Sequence, residues 1–206
     1  MDLKKFRAQP ILGIVRGIKH DRVEPLIEAV VESGLQTLEI TMNTADAPAL
    51  IRKAKKAAQK RLVLGAGTVL SMQDLQAALD AGATFIVMPV LIKEVVAYCV
   101  KNAIPVFPGA LTPQEIYAAW KEGATMVKVF PAKFFGPEYL REIKAPLEKI
   151  ELLACSGVTP QNMREYFSCG ASAISFGASV FKKEWLEQGD FNKISLSIKA
   201  FLEQLP

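Results

Sequence analysis

Short apolar runs alternate along this chain with longer stretches in which apolar residues recur every three or four positions, the signature of strands alternating with amphipathic helices. Four of the runs share one pattern: a helix-like stretch, a glycine, a small or apolar residue, then a strand. Glu32-Ser33-Gly34-Leu35 precedes residues 36–40, and Asp80-Ala81-Gly82-Ala83 precedes residues 84–88. Lys121-Glu122-Gly123-Ala124 precedes 125–130, and Ser168-Cys169-Gly170-Ala171 precedes 172–176. Glycine just after a helix takes the left-handed conformation without a Cβ penalty, so each pattern reads as a helix stop feeding a strand. The four glycines fall about 45 residues apart, room for two βα units in each interval.

The intervening strands read at 11–15, 61–64, 104–107 and 151–154, each ending near a glycine (Gly17, Gly65, Gly109, Gly157). Helical periodicity covers 23–31, 49–59, 72–79 and 92–100. Thr112-Pro113 and Thr159-Pro160 each set a capping residue before a proline at the first helical position. Eight strands alternating with helices predict an α/β protein, a single-domain (β/α)8 TIM barrel over residues 1–206. An open doubly wound sheet is the alternative, but no complete Gly-x-Gly-x-x-Gly fingerprint follows Leu12 or Leu64.

Composition narrows the classes. Half of the 206 residues are hydrophobic and 22% are charged, which excludes a disordered chain, a collagen and a disulfide mini-protein. The apolar stretch at 81–92 contains Pro89 and is too short to span a bilayer. Residues 11–15, between Arg7 and Arg16, are too short for a signal segment, so a soluble cytoplasmic protein without a membrane partner is expected. The net charge of +4 is spread out, and its densest cluster, Arg52-Lys53-Ala54-Lys55-Lys56, reads as a solvated helix face. No aromatic residue interleaves with those bases, so no nucleic-acid partner is expected. Cys99, Cys155 and Cys169 are too far apart for a disulfide framework or a zinc site. The one histidine, His20, stands before Asp21 at a helix start and reads as exposed. A metal-dependent barrel enzyme usually gathers several imidazoles, and a Ser-His-Asp hydrolase needs a placed one. Neither metal nor cofactor is expected.

In a barrel the chemistry sits at the C-terminal mouth. Five residues past the four repeat glycines stand Glu39, Val87, Lys128 and Ser175, which predicts one shared lumen layer. The strand period of two points Lys128 inward with Met126 and Phe130, and Thr37, Glu39 and Thr41 inward likewise. A lysine and a glutamate then face each other across the lumen. One reading is a structural ion pair, although burying two charges is costly and an apolar pair would often serve as well. The other is chemical. Desolvation favours the neutral amine that attacks a ketone, and a neighbouring carboxylate can shuttle protons during C–C cleavage.

Other mouth positions offer handles for a substrate. Arg16 ends strand one and suits a carboxylate bidentately, unless it is merely a surface arginine. Gly65-Ala66-Gly67-Thr68 lets backbone approach a ligand and adds a hydroxyl. The loops after strands seven and eight, Cys155-Ser156-Gly157-Val158 and Phe176-Gly177-Ala178-Ser179, occupy the usual phosphate cradle of the fold, or else are ordinary βα turns. Cys155 itself reads as a packing residue.

Leu38-Glu39-Ile40-Thr41, Gly65-Ala66-Gly67-Thr68-Val69, Pro108-Gly109 and Val127-Lys128-Val129-Phe130-Pro131-Ala132 together resemble the bacterial 2-keto-4-hydroxyglutarate / 2-keto-3-deoxy-6-phosphogluconate (KHG/KDPG) aldolases over essentially the whole chain. The resemblance implies a cofactor-free class I aldolase acting on a small keto acid, and a homotrimer. It implies Lys128 as the Schiff-base lysine and Glu39 as the general acid/base. Arg16, Asn43, Thr68, Pro89 and Phe130 would bind substrate, and Ser156, Gly157, Gly177, Ala178 and Ser179 its phosphate. Two positions depart from the family pattern. Asn43 stands where many members carry arginine, as in the related phosphogalactonate aldolases, and Cys155-Ser156-Gly157 stands in place of Thr-Gly-Gly. A catalytically silent sugar-phosphate-binding barrel and an isomerase of a ribulose-type phosphate are the competing readings.

Overall fold

Nine parallel strands wrap into a nearly closed barrel in the computed structural model, which describes residues 1–205. They are β1 (Ile11–Val15), β2 (Thr37–Thr41), β3 (Val63–Gly67), β4 (Ile86–Val87), β5 (Val106–Phe107), β6 (Gly109–Ala110), β7 (Val127–Val129), β8 (Leu152–Cys155) and β9 (Ala171–Phe176). Their order is β5-β4-β3-β2-β1-β9-β8-β7-β6. The nine segments make up the eight expected staves, because β5 and β6 are one stave broken at Pro108. Proline has no N–H to give a ladder. Below the break Met88 N–H donates to the Phe107 carbonyl (3.1 Å), and at and above it Lys128 and Phe130 N–H donate to the Pro108 and Ala110 carbonyls (2.9 and 3.0 Å). The stave thus joins β4 on one side and β7 on the other, which completes the ring of eight.

The helices α2 (Val23–Ser33), α3 (Ala47–Ala58), α4 (Met72–Ala81), α5 (Lys93–Lys101), α6 (Pro113–Lys121), α7 (Gly136–Lys144) and α8 (Met163–Ser168) follow the strands. Short α9 (Lys183–Gln188) and longer α10 (Phe191–Leu202) follow β9. Val23, Leu26, Ile27 and Val30 form the buried stripe of α2, which ends at Gly34 with φ 90°. Thr112 makes the expected capping box with Glu115 at the start of α6. Thr159-Pro160 does not start a helix as expected. α8 begins at Met163, and the preceding turn is held by Asn162, whose side-chain oxygen accepts from Thr159 N–H at 2.8 Å. β3 starts two residues later than read. Gln59 and Lys60 turn through positive φ (47° and 68°), and the Arg61 guanidinium is tied to Glu28 and the Ala57 and Ala58 carbonyls.

Alternation along the strands separates two cores. Leu38, Ile40, Leu64, Ala66, Val127 and Val129 face the helices, whereas Leu12, Val87, Phe107, Met126, Leu153 and Cys155 fill the lumen. An element not read from the sequence, α1 (Leu3–Ala8), closes the lower end. The Asp2 carboxylate caps it by accepting from Lys4 and Lys5 N–H (2.9 and 3.2 Å). Phe6 enters the lumen edge-on to Phe107, ring centroids 5.8 Å apart, and Phe85 meets Phe107 at 6.0 Å. With the bottom plugged, the cavity among the described residues lies at the C-terminal mouth. Phe6→Ala should destabilise the barrel by about 3–5 kcal/mol, because the plug leaves an apolar void that α1 alone cannot fill. Urea unfolding checks this, and a loss near zero would mean that α1 is not part of the cooperative fold.

Candidate active site

The mouth of the barrel holds a cavity of about 650 Å³. Arg16, Glu39, Thr68, Pro89, Lys128 and Phe130 line it, together with the loop residues Ser156, Gly157, Gly177, Ala178 and Ser179. One expected member is missing. Asn43 is exposed and does not border the cavity, because the chain turns away after Thr41. Thr44, not Asn43, points back. It is buried, its hydroxyl lies 3.1 Å from that of Thr41, and it accepts from Gly17 N–H at 3.0 Å. That bond ties the end of β2 to the loop carrying Arg16.

Lys128 and Glu39 rise from β7 and β2, on opposite sides of the ring, and both point inward. Their side chains are nearly sealed from solvent, with residue exposures of 6% and 1%. Ser175 lines the cavity beside them and bonds the Ala154 carbonyl at 3.3 Å, whereas Val87, expected in the same layer, stays within the packed lumen. The ion pairs among the described residues are partly or largely exposed, and none joins Lys128 to Glu39. A structural ion pair would need direct hydrogen bonding to offset two desolvated charges. Here Glu39 Oε2 has no hydrogen-bond partner at all. Burial pushes the Glu39 carboxyl up to about 7, against the downward pull of Lys128 and Arg16. A group with that value exchanges protons near neutral pH. The Lys128 amine lies 5.2 Å from the centre of the Phe130 ring, whose face attracts the cation and limits where it swings.

Gly65-Ala66-Gly67 serves a different purpose from the one expected. The space above Gly65 is taken by the Phe85 ring and that above Gly67 by the Glu39 carboxyl, so these glycines accommodate side chains of the protein itself. At the far end of the cavity, Ser156 and Gly157 both take positive φ (81° and 80°). The strain at Ser156, a residue with a Cβ, is of order 1 kcal/mol. Asn162 braces this turn by donating to the Gly157 carbonyl at 3.0 Å. In the neighbouring loop, Val180 and Phe181 N–H both donate to the Gly177 carbonyl (2.9 and 2.8 Å).

Two further cations went unread in the sequence. Lys133 and Lys183 line the cavity, and a Cβ built on Gly157 would lie 2.4 Å from that of Lys133. Lys133 follows the Lys128–Pro131 segment closely enough that the βα loop after β7 could have flagged it. Lys183 could have been flagged in the same way, since it opens α9 directly after the β9 loop that carries Ser179. The lining therefore carries four cations and one carboxylate. It suits a substrate with an acidic group at each end.

A family model described as "Aldolase: KDPG and KHG aldolase" matches residues 3–196. The 2-dehydro-3-deoxy-6-phosphogalactonate aldolase of Escherichia coli is 30% identical over 195 residues, 94% of this chain and 95% of its own. The KHG/KDPG aldolase of the same organism is 29% identical over 195 residues, 94% of this chain and 91% of its own. A solved structure of native KDPGal superposes with a TM-score of 0.88 at 29% identity, covering 95% of this chain and 93% of that one.

Proposed function

The chain belongs to the KDPG and KHG aldolase family, and from that premise we propose that it cleaves a 2-keto-3-deoxy-6-phospho sugar acid to pyruvate and glyceraldehyde 3-phosphate. The observation that carries this reading is a buried amine, Lys128, and a buried carboxyl, Glu39, with one unpartnered oxygen, sharing one cationic cavity. In its neutral form the Lys128 amine attacks the C2 ketone, and the carbinolamine loses water to give a cationic imine. Glu39 takes the proton of the C4 hydroxyl as the C3–C4 bond breaks, releasing the aldehyde. The bonding electrons move into the imine to form an enamine, which is protonated at C3 and hydrolysed to pyruvate with return of the amine. Arg16 and Thr68 hold the substrate carboxylate, and Pro89 and Phe130 wall the carbon chain. Ser156, Gly157, Gly177, Ala178 and Ser179 receive the phosphate, with Lys133 and Lys183 supplying charge.

Asn43 lies outside the cavity, so the substrate carboxylate falls to Arg16. The phosphogalactonate relative favours the galactonate epimer over the gluconate. Turnover of 2-keto-3-deoxy-6-phosphogalactonate, its gluconate epimer and 4-hydroxy-2-oxoglutarate, followed as pyruvate, tests the assignment. The phosphorylated acids are expected to exceed hydroxyoxoglutarate in kcat/KM by about 100-fold or more, the worth of two charge-assisted hydrogen bonds. Equal kcat/KM for all three would remove the phosphate from the proposal, and thermal stabilisation by the sugar acids without turnover would favour the silent binding barrel.

We also infer a homotrimer. Leu70 and Val90, 47% and 50% exposed on the loops after the neighbouring strands β3 and β4, offer apolar surface that a second copy would cover. No helix among the described residues is long and apolar enough to cross a membrane. A doubly charged phosphate does not cross a bilayer unaided, which supports a cytoplasmic site of action.

A further inference from the structure

The inward face of β3 is bare above Val63, because the next two inward positions are Gly65 and Gly67. Glu39 stands opposite Gly65 in the β2–β3 ladder, but its carboxyl reaches one inward position further toward the mouth. A Cβ built on Gly67 would lie 2.1 Å from Glu39 Oε1 and 2.5 Å from its carboxyl carbon. No real side chain makes so close a contact, so the carboxyl occupies a hole that exists only because residue 67 lacks a Cβ. Hydrogen bonds do not explain the placement, since Oε2 has no partner. Neither does an ion pair, since none joins the group to Lys128.

We propose that Gly67 is a positioning residue for the aldol cleavage: the void at its Cα seats the Glu39 carboxyl at the height from which it reaches the substrate hydroxyl. The inference rests on Glu39 being the acid/base group. It goes beyond that assignment by naming what aims the group. Gly67 does not have a positive φ, so alanine suits its backbone and the substitution acts through the added methyl alone. The methyl evicts the carboxyl from its seat into the cavity, toward Lys128 and Arg16, the two charged groups that face it. A displacement of about 1 Å at a reacting group costs on the order of 100-fold in rate.

In Gly67→Ala, kcat is expected to fall about 10- to 100-fold while KM changes by less than about threefold. The acid limb of the pH–rate profile is expected to move to lower pH, because the evicted carboxyl is better solvated and nearer the two cations. Pyruvate should still be trapped on Lys128 by borohydride, since imine formation does not need the seat. Glu39→Asp withdraws the carboxyl by one methylene, about 1.5 Å, so adding Gly67→Ala to it should cost less than about threefold. Wild-type kcat and an unmoved acid limb in Gly67→Ala would overturn the proposal. So would an equal loss when Gly67→Ala is added to the Glu39→Asp variant. If Gly67→Ala fails to fold, rescue of folding by Glu39→Asp supports the seat, and failure of both variants overturns it. Full activity of Glu39→Gln would instead overturn the assignment of Glu39, leaving the two failures distinguishable.

Discussion

Replacing Lys128 with methionine is expected to lower kcat for cleavage by at least about 10⁴-fold, toward the roughly 10⁶-fold cost of deleting a covalent nucleophile in another enzyme. The substitution keeps an unbranched apolar side chain only one heavy atom shorter, so the lumen packing around Met126 and Leu153 should survive. What disappears is the amine proposed to form the electron-accepting imine. The loss should therefore fall on kcat at every pH, and raising the substrate concentration will not restore it. Two measurements test this together. Borohydride with pyruvate should add a stable adduct to the Lys128 peptide in the wild type and nothing in Lys128→Met. The variant should also titrate Glu39 at higher pH than the wild type, because one of the two charges holding that carboxyl down is gone. Residual cleavage within tenfold of wild type would place the electrophile elsewhere.

Glu39→Gln carries the second largest effect and separates chemistry from stability. Removing a positioned general base costs about 10²- to 10⁴-fold in kcat. The wild-type acid limb, set by the carboxyl at about 7, should vanish in the variant because glutamine does not titrate. Stability should move the other way. Burial raises the Glu39 carboxyl from 4.5 to about 7, so between those values the folded protein binds more protons than the unfolded chain. Its stability then falls as pH rises through that window, by an amount on the order of 3 kcal/mol for this one group. Glutamine stays neutral in both states and removes the penalty. The variant should melt above the wild type at pH 8 and alongside it at pH 4. A Tm difference independent of pH would mean that the buried carboxyl ionises without cost, and the account of its environment would be wrong.

These expectations draw on positions the chain announces and on others it conceals. The repeat of helix, glycine and strand specified the barrel, because a glycine after each helix and a period of two in each strand are local constraints that hold whatever surrounds them. The inward aim of Lys128 and Glu39 followed from that period alone. Arg16, Thr68 and the two loops near Gly157 and Gly177 followed from their places at strand ends, Phe130 from the strand period and Pro89 only from the family resemblance, and all border the cavity. Asn43, which only the resemblance had implied, does not border it, because a loop residue two places past a strand has no period to fix its direction. The start of α8 was misread for a similar reason, as proline after a capping residue fits a turn as well as a helix.

Local pattern therefore determined which residues face the lumen and in what order they meet it. Contacts between segments distant in sequence were decided only by the closed ring: the Phe6 plug against Phe107 and the Glu39 carboxyl seated at Gly67. The physical reason is the range of the forces. Backbone sterics and side-chain alternation act over a few residues and are written in the sequence, whereas burial depends on everything that packs around a group. The desolvation that carries the Glu39 carboxyl to about 7 exists only once the barrel has closed over it.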